Sequence, residues 1–187
     1  MIIGRLLRPL RSGTDKLAGN DPRLSAPTTL EVSSPEFAHG ATMPAAYRGT
    51  SGVNPPIRWS NLPPETREVV MIVEDVDVPM TAPLVHAILY AMLPTKNGIG
   101  AGDIPKLRRG NFDRIAGASL GKGAGFGPGW VPVTPIPGHG PHRYVFQVFA
   151  LDTKLPLVAK PPSKKALLEA MAGHVIARGA TVGTAEA

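Results

Sequence analysis

The chain has 187 residues, 43% of them hydrophobic, and its 20 Lys and Arg against 14 Asp and Glu give a formal net charge of +6. That length supports one good core and does not require two, so a single domain is expected. There is no cysteine, which excludes disulfides, thiolate catalysis and cysteine-ligated metals and leaves a cytoplasmic location as the expectation. No apolar run approaches the roughly 18 residues of a spanning helix, so no stable membrane insertion is expected. The charge is dispersed, and with five Phe, two Trp and three Tyr the chain does not read as a nucleic-acid binder.

The first residues place Ile3, Leu6, Leu7 and Leu10 at helical spacing with Arg5, Arg8 and Arg11 between them, and Pro9 interrupts the pattern. No signal-peptide core or cleavage site follows, so the segment is expected to be retained. Residues 1–28 read as an arm and linker, with Asn20-Asp-Pro and Ala26-Pro marking the linker, and the arm is expected to pack on the domain or on a partner subunit. The domain proper is expected over 29–187. Thr29 to Ser33, Ile57 to Ser60, Glu68 to Glu74, Leu84 to Met92 and Arg143 to Leu151 read as strands, the last two apolar on both faces and therefore central. Proline pairs punctuate the chain at intervals too short for helices. The Gly-rich stretch from Pro94 to Trp130, with Lys106, Arg108, Arg109, Arg114 and Lys122, has no convincing periodicity and reads as a long loop, functional, flexible or both. Ser163 is expected to cap a helix carrying Leu168, Met171, Ala172 and Val175 on one face and stopping at Gly179. The sum is a mostly β chain, a β-sandwich of two packed sheets with a few short helices.

Candidate site residues lie at the ends of the apolar strands. Asp75 and Asp77 are expected to share a face at one strand end, with Pro79 terminating the ladder. His86 is the polar residue within Leu84 to Leu89, and by alternation it shares a face with Ile88 and Tyr90. His142 and Tyr144 share a face while Arg143 points to the other, and His139 sits in the preceding turn between Gly138 and Gly140. Unpaired burial of such groups costs several kcal/mol, so they are expected to meet around a pocket. Turn formation, side-chain capping and single core partners are the competing structural roles for each of them.

Other patterns are weaker. Gly117-Ala-Ser119-Leu-Gly121 fits a nucleophile-elbow expression but lacks the flanking strand and helix. The glycines at 121, 123, 125 and 127 do not form a dinucleotide fingerprint. Nothing resembles HExxH, and His139 and His142 lack metalloenzyme spacing, so no metal or other cofactor is expected.

Taken in order, Ser34-Pro-Glu-Phe, Asn54-Pro-Pro-Ile-Arg-Trp, Leu62-Pro-Pro-Glu-Thr-Arg, Val73-Glu-Asp-Val-Asp-Val-Pro, Val85-His86 and Pro137-Gly-His-Gly-Pro-His-Arg-Tyr-Val-Phe resemble the phosphatidylethanolamine-binding protein family, also called Raf-kinase-inhibitor-like, and its bacterial YbhB/YbcL-like branch. The similarity spans about residues 29 to 183. The resemblance implies a β-sandwich with a small anion pocket at one end, built from Asp75, Asp77, Pro79, His86, His142 and Tyr144, with His139 beside it. It departs from the usual pattern at Val76 between the two aspartates, at Ala87 after the pocket histidine, and across Pro132 to Ile136. The imidazole N–H groups of His86 and His142 are expected to donate to a phosphoryl oxygen, Asp75 to accept from one imidazole, and Arg108 and Arg109 to be candidates for covering the ligand.

These readings predict a non-enzymatic protein that binds a small anion or phospholipid head group of the phosphorylethanolamine kind. A protein-interaction regulator resembling kinase or protease inhibitors is the alternative, and a weak phosphoester hydrolase a second one. The partners implied are a phosphorylated small molecule or lipid head group, a protein client, and a second copy of the chain in a homodimer.

Overall fold

The computed structural model describes residues 2–106, 114–115, 117–124, 127–156 and 161–187. The strands in chain order are β1 (Glu31–Ser33), β2 (Ile57–Ser60), β3 (Glu68–Asp75), β4 (Leu84–Met92), β5 (Gly98–Ile99) and β6 (Arg114–Ile115). They continue with β7 (Ala118–Leu120), β8 (Lys122–Gly123), β9 (Gly127–Pro128), β10 (His142–Leu151) and β11 (Val175–Ala185). Helix α1 (Ile2–Leu7) precedes them and α2 (Lys164–Met171) lies between β10 and β11. A six-stranded sheet has the order β11-β10-β3-β4-β7-β6, a three-stranded sheet the order β1-β2-β5, and β8 and β9 form a hairpin.

Alternation along the central strands explains the layers. Val69, Met71 and Val73 of β3, with Leu89 of β4 and Phe146 and Val148 of β10, meet Ile57, Trp59, Met43 and Phe37 in the core between the two larger sheets. Val70 and Ile72 face the opposite way with Ile88 and Phe149, onto Leu167, Leu168 and Met171 of α2 and Leu24 of the linker. Both faces of β3, β4 and β10 are therefore buried, which is why these segments read as continuous apolar runs.

Ser163 caps α2, its hydroxyl accepting from the Ala166 amide. The helix stops at Met171, and the expected continuation to Gly179 is instead β11, antiparallel to β10 from His142 opposite Ala185 to Ala150 opposite Ala177. Its glycines and alanines hide the strand signal and serve close packing: a Cβ on Gly179 would collide with the Leu30 carbonyl oxygen.

The start of the N-terminal arm lies against the domain, but not through Ile3, Leu6 or Leu10, which are exposed. In α1 the buried residue is Gly4, whose absent Cβ would collide with the Pro137 carbonyl oxygen, while Ile2, Ile3 and Leu6 are exposed. Beyond it, the Ser12 and Gly13 amides donate to the Val78 and Val76 carbonyls at 2.9 Å each. Among the described residues no helix is long and apolar enough to cross a membrane.

Candidate functional site

Three strand ends meet at one end of the sandwich. Tyr144 of β10 lies opposite Asp75 of β3, and Asp75 opposite Leu84 of β4. Asp75, His86, His142 and Tyr144 line a cavity of about 260 Å³, with Val78, Leu84 and Ile136 among its apolar walls and Pro79, Met80 and Thr134 contributing as well.

The placement of His86 corrects the alternation expected for β4. Val73 pairs with Ala87 but Glu74 pairs with Val85, so His86 is the extra residue of a bulge. Instead of following Ile88 and Tyr90 toward α2, its ring packs on Tyr144 and Trp130, with centroids 5.1 and 5.9 Å apart, both residues of the inter-sheet core. His86 is 2% exposed; its Nδ1 is 2.7 Å from the Val131 carbonyl oxygen, while its Nε2 is buried without a partner. A carbonyl can only accept, so Nδ1 carries the hydrogen. Burial pushes the imidazole pKa below its ordinary value, against the hydrogen bond to Val131 and the Asp75 charge, and favours the neutral ring. In that tautomer Nε2 presents a lone pair.

His142 is spent on a chain of hydrogen bonds. Its Nδ1 is 2.8 Å from Asp75 Oδ2, and its Nε2 is 2.8 Å from Nδ1 of the fully buried His139. His139 Nε2 in turn reaches the Leu7 and Leu10 carbonyl oxygens of the arm at 2.9 and 3.2 Å, and must donate to them. Asp75 Oδ1 accepts from the Asp77 amide at 2.8 Å. Burial, followed by the Asp75 charge and hydrogen bond, pushes the Tyr144 phenol far up, so it remains a protonated donor to Asp75.

Asp77 departs from expectation. The chain leaves β3 at Asp75, and Asp77 turns away from the cavity lining to the Arg143 side. Both of its oxygens are held by the Arg143 guanidinium at 2.8 Å, Oδ2 also accepts from the Arg143 amide, and Oδ1 pairs with Arg11 at 2.8 Å. Burial raises this carboxyl, but hydrogen bonds from Arg143 and Arg11 outweigh it and bring the pKa down to about 2.

The structure thus brings Asp75, Pro79, His86, His142 and Tyr144 to one cavity and sets Asp77 and His139 behind it as supports. The expectation that both imidazoles offer free N–H groups does not hold: His142 has both nitrogens engaged, and His86 offers a lone pair. The arm's part in the site, through Arg11 and the Leu7 and Leu10 carbonyls, had no signal in residue spacing, because backbone acceptors are invisible to it. Arg108 and Arg109 lie outside the described residues. Ser119 sits within β7, paired with Tyr90 and Arg114, and not on a strand-to-helix elbow. Among the described residues no group of three or more His, Asp or Glu side chains is arranged to hold a metal ion.

The chain is thus a β-sandwich with a small cavity at the ends of its central strands, apolar-walled and carrying a few polar side chains. The phosphatidylethanolamine-binding protein family model matches residues 33–186, and the chain belongs to that family. A UPF0098 protein of Chlamydia trachomatis is 31% identical over 162 residues, covering 84% of this chain and 99% of that one. One from Pyrococcus horikoshii is 36% identical over 176 residues, covering 93% and 83%. The crystal structure of a phosphatidylethanolamine-binding protein homologue from C. trachomatis superposes with a TM-score of 0.72 at 32% identity, covering 84% of this chain and 97% of that one. Escherichia coli YbcL, at 23% identity and a TM-score of 0.70 over 84% and 98% of the chains, shares the fold.

Proposed function

We propose that the protein binds a phosphorylated small molecule or lipid head group, of the phosphorylethanolamine kind, in this cavity and releases it unchanged. The observation that carries the reading is the unpartnered Nε2 of His86. A buried polar atom left unpaired costs about 1–3 kcal/mol, which a ligand in the cavity would recover. The volume of about 260 Å³ is below the roughly 300–1,000 Å³ of pockets for drug-sized ligands, and suits a head group without its acyl chains. The net charge of +6 favours the approach of an anion. Among the described residues, Tyr144 and Thr134 bring the hydroxyls of the lining, and the one hydrogen bond of Thr134 goes to the Pro132 carbonyl, so no aliphatic hydroxyl nucleophile is paired with a base.

An NMR titration of the histidine rings with phosphorylethanolamine, compared with inorganic phosphate, tests the reading. Saturable shifts of the His86 and His142 rings, at lower concentration for phosphorylethanolamine, are expected. No shift at either ring removes it.

The exposed Ile2, Ile3 and Leu6 favour a second role, contact with a protein client or a second copy. If that face joins two copies, Ile2→Asp with Leu6→Asp lowers the mass in solution to that of a monomer; an unchanged mass excludes it as the joining surface.

A further inference from the structure

Among the described residues, the buried polar side chains of the cavity are acceptors or are already committed. His142 gives both nitrogens to Asp75 and His139, Tyr144 donates to Asp75, and His86 gives its N–H to Val131. What remains open is the His86 Nε2 lone pair, buried and unmatched. The segment from Val131 to Ile136 brings no titratable side chain to it. Among the described residues, the titratable groups around His86 are Asp75 at the end of β3 and His142 on β10, with Tyr144 beside them. Arg143 and Arg11 lie behind these on Asp77, and Lys122 of β8 is exposed. Among the described residues the lining holds no lysine or arginine, so no fixed cation there neutralises a second negative charge.

We propose that the ligand enters as a hydrogen oxyanion, its own O–H donating to His86 Nε2, so that the site selects a phosphate monoester over the isosteric sulfate ester. This rests on the head-group reading above. A phosphate monoester has its second pKa near 6 and still holds a proton on a fraction of molecules at neutral pH. The sulfate group of the corresponding ester is fully deprotonated and presents only acceptors to an acceptor. A site built to receive a hydrogen bond rejects the analogue that lacks it, because the buried partner stays unpaired. Burial of His86 works in the same direction, since it disfavours the imidazolium that could otherwise donate to a bare oxyanion.

The test uses the full wild-type chain. Phosphorylethanolamine and ethanolamine O-sulfate are titrated calorimetrically at pH 6 and pH 8, in two buffers of different ionisation enthalpy. Phosphorylethanolamine is expected to bind about fifty-fold more weakly at pH 8 than at pH 6, following the loss of its monoanion, with close to one proton taken up per ligand at pH 8. The sulfate ester is expected to bind about ten- to a hundredfold more weakly at pH 6, without that pH dependence. Equal affinities for the two esters, or phosphorylethanolamine affinity unchanged between the two pH values without proton uptake, overturn the proposal and leave the head-group reading standing. Binding of neither ester overturns both.

Discussion

At the scale of single residues, the site depends on carboxylates whose charge is fixed by their neighbours. Asp77 is 1% exposed and carries two guanidinium partners, and its pKa of about 2 lies below the ordinary 3.8. The fold therefore favours the ionised form. The stabilisation is fully present above about pH 4 and is lost as the pH falls through about 2. The shift corresponds to about 2 kcal/mol. Urea unfolding at pH 7, 4 and 2 should show this loss between the lower two values, and Asp77→Asn should lower stability at pH 7 by about 2 kcal/mol while flattening the acid limb. An unchanged acid limb in the variant would remove Asp77 as its source. Asp75 differs in kind, because its partners are the ring of His142, the phenol of Tyr144 and a backbone amide, which orient the cavity wall.

At the scale of elements, the arm and the 137–139 turn act together. Gly4 lets α1 approach Pro137, the Arg8 Nε donates to the Gly138 carbonyl at 2.9 Å, and the ends of the arm's first turns accept from His139. Gly4→Val should lift α1 from the turn. Amide exchange over residues 5–13 is then expected to accelerate at least tenfold and the ring resonances of His139 to move, whereas unchanged exchange would mean that the close approach does not hold the arm. The central strands were legible in the sequence because both faces of β3, β4 and β10 are apolar, and Ser163 announced α2. β11 was not, because Gly179 and Gly183 occur where the packed neighbours leave no room for side chains. The direction of His86 was not legible either: alternation assigns it to the α2 side, and one extra residue in β4 reverses that. Five of the seven candidate residues reach the cavity lining, and the two that do not, Asp77 and His139, are placed by Arg143 and by arm carbonyls that no spacing pattern contains.

At the scale of the whole molecule, the two apolar layers hold β3, β4 and β10 rigidly side by side, and the cavity is what their ends enclose. Every group lining it from these strands has its main chain fixed in the six-stranded sheet, so a ligand meets a preformed wall. Binding there should stabilise the fold by mass action, by about 2.7 kcal/mol at a free ligand concentration a hundredfold above Kd, read as a rise in the unfolding midpoint. An unchanged midpoint at saturating phosphorylethanolamine would argue that it has no site on the folded protein. The most direct measurement is a crystal structure of the protein grown with phosphorylethanolamine. The account predicts the phosphoryl group in the cavity, with one oxygen within hydrogen-bond distance of His86 Nε2 and the His139, His142 and Asp75 links intact. Phosphorylethanolamine bound elsewhere on the surface, with the cavity holding only solvent, would contradict it.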